Sequence, residues 1–303
     1  MIDVVLRDEA SGEPLWIDIA EPSREELGSI AQRYGLASTA IEDCLSPGHL
    51  PKHEKIGDAT FMIIRAFDEE ADASADTVPW MTRKVALFLG NRFLITVHRR
   101  SAPFLGPILE HYRHPKGPVY LQNVLLKVLA AAVETFGAPL DKIEDELHGF
   151  EQAMLSGKTA WDRWEDVFRT KSRLMIMKRL LWHSMSTVQK FIPFSSANMP
   201  LCQDLRESIE SLHFFATGLL DDLNSLLSIQ MALASNRTAD IMKVLAIFSV
   251  FFLPITFIVG VYGMNFRMPE LGFRYGYAAI WATMIATVLG IYLWIRKKGW
   301  IQS

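Results

Sequence analysis

The sequence predicts an α+β cytosolic domain at the N-terminus, a long helical stalk after it, and a C-terminal hairpin of two membrane-spanning helices. Three observations carry this. Runs rich in β-branched and large apolar residues, separated by turn-forming residues, fill residues 1–115. An apolar stripe at coiled-coil spacing begins at Leu205. Two charge-free apolar stretches, Val244 to Met264 and Gly276 to Ile295, reach the roughly 20 residues that cross the hydrocarbon core of a bilayer.

In chain order, Leu15 to Ile19, Ala59 to Phe67, Lys84 to Leu89 and Arg92 to His98 read as strands. Gly90-Asn91 is the expected two-residue turn, of type I′ or II′, between the last two. Glu21 to Tyr34 and Ser38 to Leu45 read as helices, the second with Ser38 as its N-cap. Residues 116–235 form a helical region and stalk: helix from Tyr120 to about Phe191, interrupted near Pro139 and Gly157, then a very long helix from Leu201. Leu205, Ile209, Leu212, Ala216, Leu219, Leu223 and Leu226 alternate steps of four and three, the seam of a helix packed against others. Between Gly218 and Pro254 no Pro or Gly breaks the run, so the stalk is expected to continue into the first span of the membrane part, residues 236–303.

The loop between the spans is too short for a domain, so the chain crosses and returns, and both ends share one side. Arg237 and Lys243 precede the first span and Arg296, Lys297 and Lys298 follow the second, against Arg267 and Arg274 in the loop. The positive-inside rule therefore places both termini in the cytosol. The N-terminal MIDVVLRDEASGEPLW lacks the basic start and apolar stretch of a secretory signal, in keeping with a cytosolic first domain.

Composition narrows the function. A net charge of −3, with basic residues spread along the chain, offers no footprint for nucleic acid. The cysteines are Cys44 and Cys202, with no C-x-x-C pair, which indicates neither a disulfide framework nor a thiolate zinc site. No nucleophile and base stand together in a recognisable pattern, so an enzyme is not expected. Ser156-Gly157-Lys158-Thr159 fails as a phosphate loop, because position 152 is Gln where a Gly is required. His49 with His53, and His111 with His114, have spacings that a metal could bridge, but nothing in the sequence converges on them. Asn236-Arg237-Thr238 is a glycosylation sequon on the cytosolic side, where it is silent.

Tyr262-Gly263-Met264-Asn265-Phe266 ends the first span, Met268-Pro269-Glu270-Leu271 follows it, and Arg-Lys-Lys closes the second. With Phe252-Leu253-Pro254-Ile255-Thr256-Phe257 upstream, this arrangement resembles the CorA family of magnesium and cobalt transporters. The resemblance extends weakly to Trp16-Ile17-Asp18 and Ile41-Glu42-Asp43-Cys44-Leu45. It implies a homopentamer in the inner membrane, with first spans lining the pore and Gly263, Met264 and Asn265 forming an outer selectivity filter. The implied activity is Mg²⁺ uptake, with Co²⁺ and Ni²⁺ as further cargoes, without a cofactor and with cytosolic Mg²⁺ as regulator. Chain physics supplies part of this independently. A two-helix hairpin cannot enclose an aqueous path alone, so a channel made from it is an oligomer.

Mg²⁺ sheds water reluctantly, so a neutral amide oxygen touching its hydration shell suits a first filter, and Asn265 supplies one. Helical steps back from Asn265 give Gly263, Gly260, Thr256, Leu253, Ser249, Leu245 and Met242 as pore-lining candidates. The span is apolar all round, so only the resemblance anchors that face. Leu245 and Met242 would make an apolar constriction that closes by dewetting. Pro254 frees the carbonyl of Val250 for water or an ion, or simply kinks the helix. Glu270 is the acid of the outer loop, while Arg267 stands where many relatives have another acid.

The family senses cytosolic Mg²⁺ through acids between subunits. Asp204 falls where one is expected, and Asp68 in Phe67-Asp68-Glu69-Glu70 is a candidate partner. For both, a solvated surface carboxylate is the competing reading. Ser228 occupies a position where some members place a further acid. Two other functions remain open: a Zn²⁺ transporter of the ZntB-like branch, coupled to protons, and a membrane-anchored sensor or scaffold without transport. Met264 and Met-Pro-Glu-Leu favour Mg²⁺ over the zinc branch.

Overall fold

The computed structural model describes residues 1–8, 11–72, 74–115, 117–155, 164–191, 199–264 and 274–298. They fall into two compact units, Met1–Leu226 and Leu227–Ser303.

The first unit is built on a six-stranded sheet. Its strands are β1 (Ile2–Arg7), β2 (Pro14–Ala20), β3 (Lys52–Ile56), β4 (Ala59–Phe67), β5 (Thr82–Leu89) and β6 (Leu94–His98), in the spatial order β1-β2-β6-β5-β4-β3. β2 and β6 pair in parallel and every other pair is antiparallel. The central strands are buried on both faces, which is why β4 and β6 read as continuous apolar runs. β1 and β3 lie at the edges, and the polar β3 sequence, Lys-His-Glu-Lys-Ile, carries no strand signature.

Helices α1 (Arg24–Tyr34) and α2 (Ser38–Leu45) cover one face. Leu27, Ile30, Ala40, Ile41 and Cys44 pack there against Ile17, Ile19, Phe61, Ile63, Ala86, Phe88, Ile95 and Val97. These strand residues lie opposite one another in register, as with Phe61 and Phe88, or Ile17 and Ile95. α1 starts at Ser23 with a reciprocal cap: Glu26 N–H donates to Ser23 Oγ at 3.1 Å and Ser23 N–H to Glu26 Oε2 at 2.8 Å. It ends at Gly35 in the left-handed conformation, φ 66°. α2 departs from expectation, since Ser38 is its first helical residue and Ala37 its N-cap, with no side-chain cap bond.

After the short α3 (Val78–Met81), α4 (Gly106–Arg113), α5 (Leu121–Glu134), α6 (Gly137–Leu155) and α7 (Trp164–Phe191) complete the helices before the longest one. α5 packs on β4 and β5, α4 on β1, and α7 on β3. The interruption expected near Pro139 falls at Thr135–Phe136, and Pro139 sits in the first turn of α6, where its missing N–H costs nothing. The Gly157 break lies outside the described residues. The β5–β6 turn is also corrected. Gly90 N–H donates to Phe93 O at 2.8 Å, so Asn91 and Arg92 are its centre, and none of its residues has positive φ. Gly90 is required for closeness: a Cβ there would stand 2.4 Å from the Phe93 ring.

α8 (Met199–Tyr262) is one helix of 64 residues and α9 (Gly276–Lys297) one of 22. In the first unit, Leu205, Ile209, Ala216, Leu219 and Leu223 of the expected stripe are buried, and Leu212 and Leu226 are half-buried.

Candidate functional site

Among the described residues, three helical stretches are long and apolar enough to cross a membrane: Leu121–Met154, Pro200–Tyr262 and Gly276–Lys297. Burial separates them. Half of the most apolar window of the first is buried, against 0% and 6% for the other two. The first is therefore core of its unit, and α8 and α9 present apolar surface that water would not tolerate.

That surface is not uniform around α8. Ile247, Phe251, Pro254, Ile255, Ile258 and Val261 are half-buried, whereas Met242, Leu245, Ser249, Leu253, Thr256, Gly260 and Gly263 are exposed. At 100° per residue the two sets centre about 180° apart. α9 has a shielded stripe too, through Gly276, Ile280, Met284, Val288, Ile291 and Ile295. The seven residues expected to line a pore thus share the face of α8 opposite its covered stripe. Pro254 lies within that stripe, and α8 continues through it.

The polar atoms on this face have a specific orientation. Ser249 Oγ donates to Leu245 O at 2.9 Å and Thr256 Oγ1 to Phe252 O at 2.8 Å. With the proton committed to the helix, the hydroxyl lone pairs remain available to water around a cation. Thr283 and Thr287 of α9 make the same bond, so position on α8, not the bond, distinguishes Ser249 and Thr256. At the end of α8, Gly263 N–H donates to Val259 O at 2.8 Å and Met264 N–H to Val261 O at 3.3 Å. A Cβ on Gly263 would press to 3.0 Å from Val259 O, so glycine allows the chain to close down there. Met264 is half exposed. Asn265, Arg267 and Glu270 lie outside the described residues.

The two regulatory candidates have different surroundings. Asp204 is exposed on α8, as either a solvated surface carboxylate or a ligand would be. Asp68 is not a solvated carboxylate: it is 6% exposed and bound to Arg83 Nη2 at 2.8 Å. Arg83 also binds Glu70 Oε2 at 2.5 Å, and these acids hold its guanidinium charged. Among the described residues, no three His, Cys, Asp or Glu side chains form a cluster able to hold a metal ion. His49 Nε2 instead meets Asp43 Oδ1 at 2.9 Å, and His53 lies beside the Phe191 ring.

Two buried polar groups escaped the sequence reading. Asp18 and His98 face each other across the parallel β2–β6 pair, with His98 Nε2 3.2 Å from Asp18 Oδ2. Thr96 Oγ1 donates to Asp18, and Trp16 Nε1 donates to Thr96 Oγ1 at 3.3 Å. Burial opposes the imidazolium, but the bond to Asp18 and its charge outweigh burial, so the His98 pKa is raised. Arg65, 2% exposed, sits on the α2 face of β4. In both cases the signal was a charged residue inside an apolar strand: Asp18 in Trp-Ile-Asp-Ile and Arg65 in Ile-Ile-Arg-Ala-Phe.

The comparisons with known proteins agree with this architecture. The cobalt/magnesium transport protein CorA of Thermotoga maritima is 26% identical over 99% of this chain and 87% of that protein. The magnesium transport protein CorA of Mannheimia succiniciproducens is 26% identical over 95% and 92%. Among solved structures, the complete CorA of Methanocaldococcus jannaschii superposes with a TM-score of 0.67 at 23% identity, covering 97% of this chain and 94% of that one. The full-length CmaX protein superposes at 0.74 and 16% identity, covering 93% and 87%. The cytoplasmic domain of ZntB from Vibrio parahaemolyticus gives 0.59 and 15%, covering 74% and 88%. The model of the CorA-like Mg²⁺ transporter protein family matches residues 11–297, and the chain belongs to that family.

Proposed function

We propose that this chain is one subunit of a homo-oligomeric inner-membrane channel, a pentamer as the family resemblance implies, that admits divalent cations to the cytosol, Mg²⁺ foremost. The observation that carries the proposal is the uncovered, charge-free face of α8, which bears Ser249 and Thr256 and leads to Gly263. Copies of α8 arranged around an axis with this face inward would enclose a path whose polar atoms are neutral oxygens. Such oxygens suit a cation that keeps its water, and Asn265 would supply the outermost ring. Both termini lie in the cytosol in this reading, and no cofactor takes part.

Membrane potential supplies the drive. A divalent cation crossing about 100 mV gains roughly 4 to 5 kcal/mol, more than a thousandfold in concentration ratio. Met242 and Leu245 form the apolar gate near the cytosolic end. Asp204 is the leading regulatory ligand, and Asp68 joins it only by exchanging Arg83 for a cation.

Ion flux into proteoliposomes holding the purified protein tests this reading, with Mg²⁺, Co²⁺, Ni²⁺ and Zn²⁺ compared with and without a proton gradient. Potential-driven Mg²⁺ flux is expected, lost in Asn265→Ala and raised in Leu245→Gly. No divalent flux would sink the channel reading, and Zn²⁺ flux that requires protons would replace it with the zinc-transporting one.

A further inference from the structure

A second site is suggested by charge in the first unit. Arg65, Arg83, Lys84, Arg99 and Arg100 line a pocket of about 230 Å³ together with Pro47, Pro79 and Thr82, and among the described residues no Asp or Glu lines it. Arg65 on β4 and Lys84 on β5 are direct cross-strand partners on one face of the sheet. Like charges placed so are destabilising unless something compensates them.

Part of the compensation is internal. Arg65 Nε donates to His49 O at 2.7 Å, its Nη1 to Thr82 Oγ1 at 2.9 Å and its Nη2 to Pro47 O. Lys84 Nζ donates to the carbonyls of Asp43, Cys44 and Ser46, and Arg99 Nη1 to Leu45 O at 2.7 Å. These cations collect the unpaired carbonyls at the C-terminal end of α2, where the helix dipole is negative. Dipoles satisfy hydrogen bonds without cancelling whole charges. The Asp43 carboxylate is engaged by Lys52 and His49, and Arg83 by Asp68 and Glu70. Burial, together with repulsion from Arg65 and Arg99, lowers the Lys84 pKa to about 8 even though Cys44 and Asp43 oppose the shift. Arg100 stacks on Trp80, 5.3 Å from the ring centroid, and both it and Arg99 are exposed.

We propose that this pocket binds a phosphoryl anion, with Arg99 and Arg100 as exposed forks beside the buried Arg65 and the half-buried Lys84. Planar guanidinium pairs match phosphate oxygens in geometry as well as charge. The volume far exceeds what a single water needs and admits a tetrahedral group. The phosphoryl group belongs either to free phosphate or to a nucleotide whose base would reach the exposed Trp80.

The test is titration calorimetry on the full-length protein in detergent, in magnesium-free buffer at constant ionic strength, with sodium phosphate and sodium ATP as probes and sodium chloride as control. Saturable binding of phosphate or ATP is expected, weakened at least about tenfold by Arg99→Ala with Arg100→Ala, and unaffected by Arg206→Ala, which removes a charge elsewhere. ATP binding much tighter than phosphate identifies a nucleotide, and equal affinities identify free phosphate. The thermal midpoint of each variant checks that it folds. Absence of saturable binding, or binding that survives the double substitution in a folded variant, overturns the proposal.

Discussion

Leu205 and Leu253 belong to the same helix and have the same side chain, yet one is 2% exposed and the other 70%. The difference lies in the company each keeps. Around Leu205 the helix alternates apolar residues with Asp204, Arg206, Glu207 and Glu210, so one stripe turns inward and the rest meets water. Around Leu253 the neighbours are apolar apart from the uncharged Ser249 and Thr256, and a helix with no charged side has no face that strongly prefers water. Exposed residues around Leu205 are the polar ones that suit water, whereas exposed residues along the spans are mainly apolar ones that suit lipid or another helix. The same chemistry is core in one region and surface in the other.

Paired substitutions in the two regions test that contrast. The largest effect is expected for Leu205→Ala, which opens a cavity among buried neighbours and should cost about 2 to 5 kcal/mol. Leu253→Ala, on the uncovered face, should stay within about 0.5 kcal/mol. Thermal unfolding of both full-length variants checks the pair, and equal losses would show that Leu253 is packed. Next, a lysine placed at two exposed phenylalanines separates the two kinds of exposure. Phe257→Lys, in the span, should cost about 2.5 to 3.5 kcal/mol and lower the yield of membrane-inserted protein. Phe214→Lys, 80% exposed in the first unit, should be tolerated. Similar yields would contradict a bilayer setting for Phe257.

The smallest effect belongs to the first unit alone and concerns pH. Because the His98 pKa is raised in the folded protein, its pairing with Asp18 stabilises fully below the unfolded value of about 6.5. That contribution disappears as pH rises through the folded pKa. The gap in thermal midpoint between the wild type and His98→Gln should therefore narrow from pH 6 to pH 9, and a gap independent of pH would remove the ionic part of the pairing.

Sequence patterning revealed those parts of the fold whose side chains are sorted by a solvent boundary. β4 was legible with its exact ends because Ala59 to Phe67 is apolar but for Thr60 and Arg65, and the buried seam from Leu205 to Leu223 was legible because its spacing is that of a packed helix. β1 and β3 were missed because edge strands need bury only part of their surface. Ser38 misled because a serine at a helix start serves equally as N-cap or first residue, and only backbone geometry decides. The face of α8 proposed to line the ion path was the least legible. From Val244 to Met264 periodicity carries no information about direction, and the shielded stripe through Ile247, Phe251 and Ile258 appears only once the chain is folded. Asp68 shows a different limit: its ion pair with Arg83, 15 positions away in sequence, leaves no local signal.

If one face of α8 meets an aqueous path, cysteines placed on that face are reached by reagents carried in water. Native Cys44 and Cys202 are both buried, so the background is low. Ser249→Cys and Thr256→Cys, on the proposed face, and Ile247→Cys and Ile258→Cys, on the shielded stripe, would be treated in proteoliposomes with a charged, membrane-impermeant thiol reagent while Mg²⁺ flux is followed. The account predicts that the first pair is modified and flux is blocked, while the second pair is inert. Modification of the Ile247 and Ile258 positions with the Ser249 and Thr256 positions protected would turn the helix around and contradict it.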